Sequence, residues 1–412
     1  MIANFLVKSL TSMPIPKTLL QKPENRVLLL CARGLEKSEK FAQALGEVRD
    51  WNNLERRIRD NRLTLLFLHH LKGHEELVPI AFLRDFEVLC EQLLHWNLSF
   101  LVELQAITRV LDDGGVRFLC YKGPILAYEA HKTLALRHFS DLDLLVSPHD
   151  VEKSLDRLQI LEYRKVGNDA PAHEFFKRHQ QRSSYETHVV SADGLMSLDL
   201  HWSISAPHQS FPLDFEKLWG RRTHNSSVGS ISTLGREDLI AVLCFHGLKH
   251  SWGGLEWIGS LLGVLKSENA SAFDWEYIKA TFNESGCERI LYLGLSLARQ
   301  LDSFDDLNEK ESQLFPADIA DSIARDKSIG KMAHTVWELQ LRETGMPMNS
   351  VLFNLKHFAL SLHFGLWGRS RAGRRRKFIR GSFLDLLSSL ERSRLVLRVL
   401  RPWRNLSGLL QR

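Results

Sequence analysis

The chain has 412 residues, of which 44% are apolar and 25% charged, a composition ordinary for a soluble globular protein and long enough for two or three domains with cores of their own. Five scattered cysteines (Cys31, Cys90, Cys120, Cys244, Cys287) with no C-x-x-C pair exclude a disulfide framework and a structural zinc site, and fit a reducing compartment. The net charge of +5 is unevenly held: from Trp367 to Arg412 twelve Arg and one Lys stand against Asp385 and Glu391, a net of +11, which leaves −6 for the remainder and makes the basic character local to the tail.

Residues 1 to about 105 read as helical. Leu54, Ile58, Leu63, Leu65 and Leu66 recur roughly at helical spacing among Arg56, Arg57, Arg59 and Asp60. A longer helix is predicted from Phe86 to Leu111, stopped by Asp112-Asp113-Gly114-Gly115. The pattern then changes. Val116 to Tyr121 is a β-rich run closed by Lys122-Gly123-Pro124, and Ile125 to Leu136 reads as a helix with its proline near the first turn. Ser140 to Val146 reads as a second strand and Val151 to Leu161 as a helix. His188 to Val190, the turn Ser191 to Gly194, and Leu195 to Trp202 form a hairpin signal.

Beyond about residue 215 the chain reads as helical again. Arg236 to Trp252 and Leu255 to Lys266 are apolar-periodic and separated by Gly253-Gly254, and residues 301 to 350 read as helices with loops. No basic n-region with a long apolar run opens the chain. No stretch reaches the ~18 apolar residues of a membrane span; Val351 to Trp367 is interrupted by Asn354, Lys356, His357 and His363. The expectation is a soluble, cytoplasmic α+β protein: a small mixed sheet core at 106–215 between an N-terminal helical region at 1–105 and a C-terminal one at 216–350, with a basic tail at 351–412.

Asp141 and Asp143 are two apart on the second predicted strand, so alternation projects both carboxylates from one face. The same alternation puts Ser197, Asp199 and His201 on one face of the later strand. If those strands are neighbours, three carboxylates converge, and such a cluster needs cations to neutralise it. Hard oxygen ligands at that density suit Mg²⁺ or Mn²⁺, which can clamp the oxygens of an in-line phosphoryl displacement. The competing reading is that D-x-D only solvates the tip of a strand.

The segment from Leu119 to Pro148, LCYKGPILAYEAHKTLALRHFSDLDLLVSP, resembles the defining stretch of an uncharacterised nucleotidyltransferase family: a strand ending in Lys-Gly, a helix, then Arg, Ser and Asp-x-Asp-Leu-Leu-Val. Ser197 to Ser205 (SLDLHWSIS), Leu243 to Leu265 with its His-x-x-x-His-x-Trp element, and Arg401 to Leu406 (RPWRNL) are similar to three further motifs of that family, in the same order. The family lies in the DNA polymerase β-like superfamily. The resemblance implies a small nucleotidyltransferase core in which Asp141 and Asp143 hold metal, Asp199 is the third carboxylate, and Gly123 lets the backbone approach a triphosphate at a helix N-terminus. One departure stands out: Pro124 follows Gly123 where the superfamily has Ser or Gly, which removes a backbone donor and shifts the phosphate grip toward Lys122 and Arg137.

Other residues carry two readings. Lys122 and Arg137 are phosphate ligands or surface charges, with position favouring phosphate. Ser140 contacts a phosphate or caps a turn. His201 orients Asp199 or reaches a metal, or is a satisfied polar group at the edge of the site. His246 and His250 are spaced for zinc, but Gly247 stands where a metalloprotease needs Glu, so packing or a supporting role is favoured. Trp257-Ile258 is followed by Gly259, without the acidic side chain that the family often carries in this helix. The expected activity is metal-dependent transfer of a nucleoside monophosphate from a nucleoside triphosphate to a hydroxyl or amine acceptor (a small molecule, sugar, peptide or protein), with pyrophosphate leaving. The alternative is an inactive nucleotide-sensing or partner-binding module on the same fold. The basic run Arg369 to Arg380 contacts nucleic acid or an anionic membrane surface, or is a solvated helix face; residues 367–412 as a whole are expected to be an electrostatic docking element, the alternative being that Arg401-Pro402-Trp403-Arg404 folds back on the body.

Overall fold

The computed structural model describes residues 14–34, 39–166, 184–207, 211, 213–305 and 314–341. The basic tail, the motif at Arg401 to Leu406 and the apolar stretch before the tail lie outside them. In chain order the elements are α1 (Lys17–Leu20), α2 (Pro23–Ala32), α3 (Glu39–Gly46), α4 (Trp51–Asp60), α5 (Thr64–Leu71), α6 (Ile80–Asp113), β1 (Phe118–Cys120), α7 (Pro124–His131), β2 (Leu142–Val146) and α8 (Val151–Leu158). There follow β3 (Arg164–Lys165), β4 (Glu186–Val190), β5 (Ser197–His201), α9 (Phe215–Gly220), β6 (Thr223–Asn225), β7 (Ile231–Thr233), α10 (Arg236–Lys249), α11 (Leu255–Lys266), α12 (Trp275–Ser285), α13 (Glu288–Ser303), α14 (Ala317–Arg325) and α15 (Lys327–Leu341). The fold is α+β, as expected, with helices flanking one mixed sheet. No helix among the described residues is long and apolar enough to cross a membrane.

Local chemistry sets the boundaries. Asp50, Asp214 and Asp274 cap α4, α9 and α12 by accepting from the backbone N–H three residues on, which satisfies a donor that the first helical turn leaves open. The 34-residue α6 ends where Gly115 takes φ 62° and Val116 N–H returns to Leu111 C=O at 2.9 Å. That turn needs glycine, as the Asp-Asp-Gly-Gly breaker anticipates.

The sheet order is β3-β4-β5-β2-β1-β7-β6. β2 is central, antiparallel to β1 and parallel to β5; β4 pairs antiparallel with β5. The sheet does not stop at residue 215: β7 joins the far edge, parallel to β1 through Cys120 and Thr233. Two apolar cores result. The smaller lies between the sheet and α6 and α8, and takes Leu142, Leu144, Leu198 and Leu200. The larger runs from Ile15 through α2, α5, α10, α11 and α13 to Leu341. The N-terminal and C-terminal helices therefore share one core, which meets the sheet through Leu119, Tyr121 and Leu145. Alternate residues of β1 and β2 point to opposite sides, so the sheet is clamped between the two cores.

Candidate active site

β2 and β5 run parallel in a register that sets Asp143 directly beside Asp199, with Leu142 beside Leu198 and Leu144 beside Leu200. The leucines fill the smaller core and the acids emerge on the other face, as alternation requires. Two residues further along β5, His201 is buried with its ring Nε2 3.0 Å from Asp143 Oδ1. Asp143, Asp199 and His201 each offer a ligand atom within 4.8 Å of the others.

Cations surround this group. Lys122, at the end of β1, donates to Asp143 Oδ1 at 2.6 Å. His201 Nδ1 lies 3.0 Å from Glu186 Oε2 on β4. Lys249 Nζ at the end of α10 is 3.7 Å from that same oxygen and 4.9 Å from the centre of the Tyr185 ring. His188, opposite Asp199 in the β4–β5 ladder, has Nδ1 2.7 Å from Asp199 Oδ1. Tyr121 and Tyr185 flank the His201 ring at centroid distances of 6.0 and 6.2 Å.

Ionisation follows from these contacts. Burial alone would raise Asp143, but Lys122 and His201 outweigh it and hold the carboxyl well below its ordinary range. Glu186 falls to about 2: burial opposes, and His201 and Lys249 prevail. Burial opposes the charged form of His201, yet the Asp143 and Glu186 carboxylates on its two sides leave its value raised. Asp141 behaves differently. It stands immediately before β2, outside the regular alternation and outside the 4.8 Å group. Burial, then Asp143 and Asp199, raise its carboxyl, partly countered by Lys122 and Arg62.

The remaining predicted residues are placed as follows. Gly123 takes φ 55° as the residue before α7 and lies against the Asp141 carbonyl; that backbone favours glycine, and no side chain caps the helix that follows. Ser140 is exposed beside Asp141. Arg137 makes no contact with the carboxylates. Its guanidinium is buried, with Nε 2.5 Å from Glu256 Oε1 on α11 and side-chain exposures of 6% and 3%. Ser260 Oγ bridges the pair, while Arg137 Nη1 and Glu256 Oε2 find no hydrogen-bond partner. Asn97 of α6 fixes the same loop by donating to the carbonyls of Leu134 and Arg137. His246, His250 and Trp257 pack together in tilted and edge-on contacts, with ring centroids 4.4 to 5.6 Å apart. Burial first, then Lys122, His250 and Lys249, push His246 well below its usual value. Sequence reasoning missed Glu186 and Glu256, and left Lys249 open between the nucleotide and solvent. Only Glu186 leaves a local signal, lying two residues before His188 on the same strand face.

The donor set fits a divalent cation. Both hydrogen bonds to Asp143 end on Oδ1, and the bond to Asp199 ends on its Oδ1, so an oxygen of each remains for a ligand. Asp141 is a partly buried carboxylate with two acidic neighbours and no hydrogen bond or ion pair among the described residues, a state that a nearby cation relieves. A mixed sheet with paired acids on adjacent parallel strands, preceded by a strand-Gly-helix turn, defines the nucleotidyltransferase class. The model of a family described as uncharacterised nucleotidyltransferase matches residues 47–302, and the chain belongs to that family. No curated protein and no solved structure matches the chain.

Proposed function

We propose that the protein transfers a nucleoside monophosphate from a nucleoside triphosphate to a hydroxyl or amine acceptor, with Mg²⁺ or Mn²⁺ held by Asp143 and Asp199, assisted by Asp141. The observation that carries this reading is the register of Asp143 beside Asp199 on parallel strands. Bound divalent cations would supply charge neutralisation and polarise the phosphate oxygens. The chain's own residues do the rest. Lys122 and His201 keep Asp143 ionised, and Glu186 fixes the other side of His201. The acceptor's hydroxyl oxygen or amine nitrogen attacks the α-phosphorus, and its proton passes to the Asp199 carboxylate. The bond from that phosphorus to the bridging oxygen breaks, and pyrophosphate leaves. Gly123 lets the phosphates approach the start of α7, with Ser140 at the exposed rim, and Arg137 acts from beneath by fixing the loop that leads into β2.

The test is calorimetric titration of each nucleoside triphosphate with Mg²⁺ or Mn²⁺, followed by pyrophosphate release in the presence of candidate acceptors. Binding should require the metal and vanish in Asp143→Ala with Asp199→Ala. Absent binding at millimolar nucleotide, or unchanged binding in the double variant, removes the reading. A second reading, a nucleotide-binding module without turnover, is favoured by one feature: the Lys122 ammonium on Asp143 competes with a metal for that carboxylate. Metal-independent nucleotide binding with no pyrophosphate release from any acceptor would support it.

A further inference from the structure

The C-terminal end of α4 closes in a Schellman-type turn. Leu63 N–H donates to Ile58 C=O at 2.9 Å, and Arg62 N–H donates to Arg59 C=O at 3.0 Å. The left-handed position of that turn, at φ 56°, is held by Arg62. Glycine is the usual occupant, because a Cβ there crowds the following carbonyl. An arginine in its place is kept against local preference, and such residues cluster where a side chain is needed for function.

The turn is braced. Asn61 is buried; its Nδ2 donates to Arg57 C=O at 2.8 Å, and its Oδ1 accepts from Leu255 N–H at 3.1 Å. Arg57 in turn donates to Asn25 Oδ1 and to Leu341 C=O. Arg62 is thereby fixed beside the first residue of α11, the helix that carries Glu256 and Trp257. Its side chain is half-buried, and the guanidinium makes no hydrogen bond or ion pair among the described residues. Its charge is felt at His138 and Asp141, in the loop that enters β2.

A triphosphate at the Asp143–Asp199 pair brings several negative charges into this cleft. The basic residues on the sheet side are engaged: Lys122 on Asp143 and Arg137 on Glu256. Pro124 offers no N–H at the start of α7. A guanidinium with no partner matches the paired oxygens of a phosphate. We propose that Arg62 binds the polyphosphate, donating to the non-bridging oxygens of the phosphates beyond the reacting one, the part that departs as pyrophosphate. The proposal rests on the nucleotidyltransferase reading above. It gives the N-terminal helices a share in the site.

The backbone makes the test clean. Arg62→Gly removes the guanidinium while supplying the residue the turn prefers, and Arg62→Asn is a second variant that tolerates the left-handed position. Full-length protein is titrated by calorimetry with inorganic tripolyphosphate plus Mg²⁺, a probe without a base, and with the four nucleoside triphosphates. Expected is a melting temperature unchanged or raised by a few degrees in Arg62→Gly, with tripolyphosphate affinity weakened by about tenfold or more and an intermediate loss in Arg62→Lys. Affinity in Arg62→Gly and Arg62→Asn within about threefold of wild type overturns the proposal and leaves the nucleotidyltransferase reading standing. A lowered melting temperature in both variants also overturns it, by assigning the side chain to the turn itself. Wild-type protein that binds neither tripolyphosphate nor any nucleotide overturns both.

Discussion

Glu256 and Arg137 show how a residue far in sequence from the carboxylates can govern them. Both side chains are almost fully buried, and Asn97 and Ser260 brace the same loop. Removing one partner strands the other's charge in the interior, which costs ~3–5 kcal/mol. Glu256→Ala is therefore expected to lower the urea midpoint strongly, while Arg137→Met combined with Glu256→Leu recovers much of the loss. A double variant no more stable than the single one would show that the pair contributes more than mutual neutralisation. Residues of this kind were not legible in the sequence. Asp143, Asp199 and His201 were, because strand alternation is a local rule and places their side chains whatever the rest of the chain does. Glu256, Lys249 and Arg62 acquire their surroundings only when α4, α10 and α11 meet the sheet. Arg137 read as a phosphate ligand because it precedes the acids in sequence; its partner lies on a helix that local pattern cannot bring near.

Helix α11 is the element on which the assembly turns, and its glycines show why. A Cβ at Gly259 would stand 2.4 Å from the carbonyl oxygen of Ala32 on α2, and one at Gly263 would stand 2.5 Å from that of Ala130 on α7. The helix is wedged against the backbone of an N-terminal helix and of the helix that follows Gly123. Glycine at 259 is thus a packing requirement, and the buried acid of this helix is Glu256, one turn earlier. Gly259→Ala is expected to destabilise by ~1–3 kcal/mol, because the obstructing atom is backbone and cannot rotate away. Thermal melts of this variant beside Gly254→Ala, whose Cβ meets nothing within 4 Å, give the comparison; equal melting temperatures would contradict the wedge. The bounds of α11 were readable from its apolar period and flanking glycines. Strands β6 and β7 were not, since three-residue strands carry too little alternation to stand out from loop. Asp141, expected in β2, lies just before it because the strand begins at Leu142.

At the scale of the molecule, the larger core ties residues near Ile15 to residues near Leu341, and its stability responds to pH through a buried imidazole at the seam. Burial, then the Arg137 charge, lowers His131 at the end of α7 to about 4. The folded value lies below the unfolded one of ~6.5. The stabilisation is therefore complete above about pH 6.5 and is lost as pH falls toward 4, a change on the order of 3 kcal/mol. His131→Gln should flatten the urea midpoint between about pH 4.5 and 7; a slope unchanged from wild type would assign the acid sensitivity elsewhere. The general organisation, a sheet between helical segments, was legible in the order of the patterns. That the two helical segments make one body was not, because periodicity marks which face of a helix is apolar and says nothing of which face it meets.

That shared body also dictates an order of events at the ribosome. Helix α2 packs on α11, and the two are separated by more than half the chain. At ~5–20 residues per second the early helices emerge roughly 10–50 s before the partner that covers them. Through that interval Val27, Leu28 and Leu29, sealed in the finished protein, have only the neighbouring early helices to pack on. Sealing that seam is thus a late step of synthesis, completed only once α11 has left the ribosome.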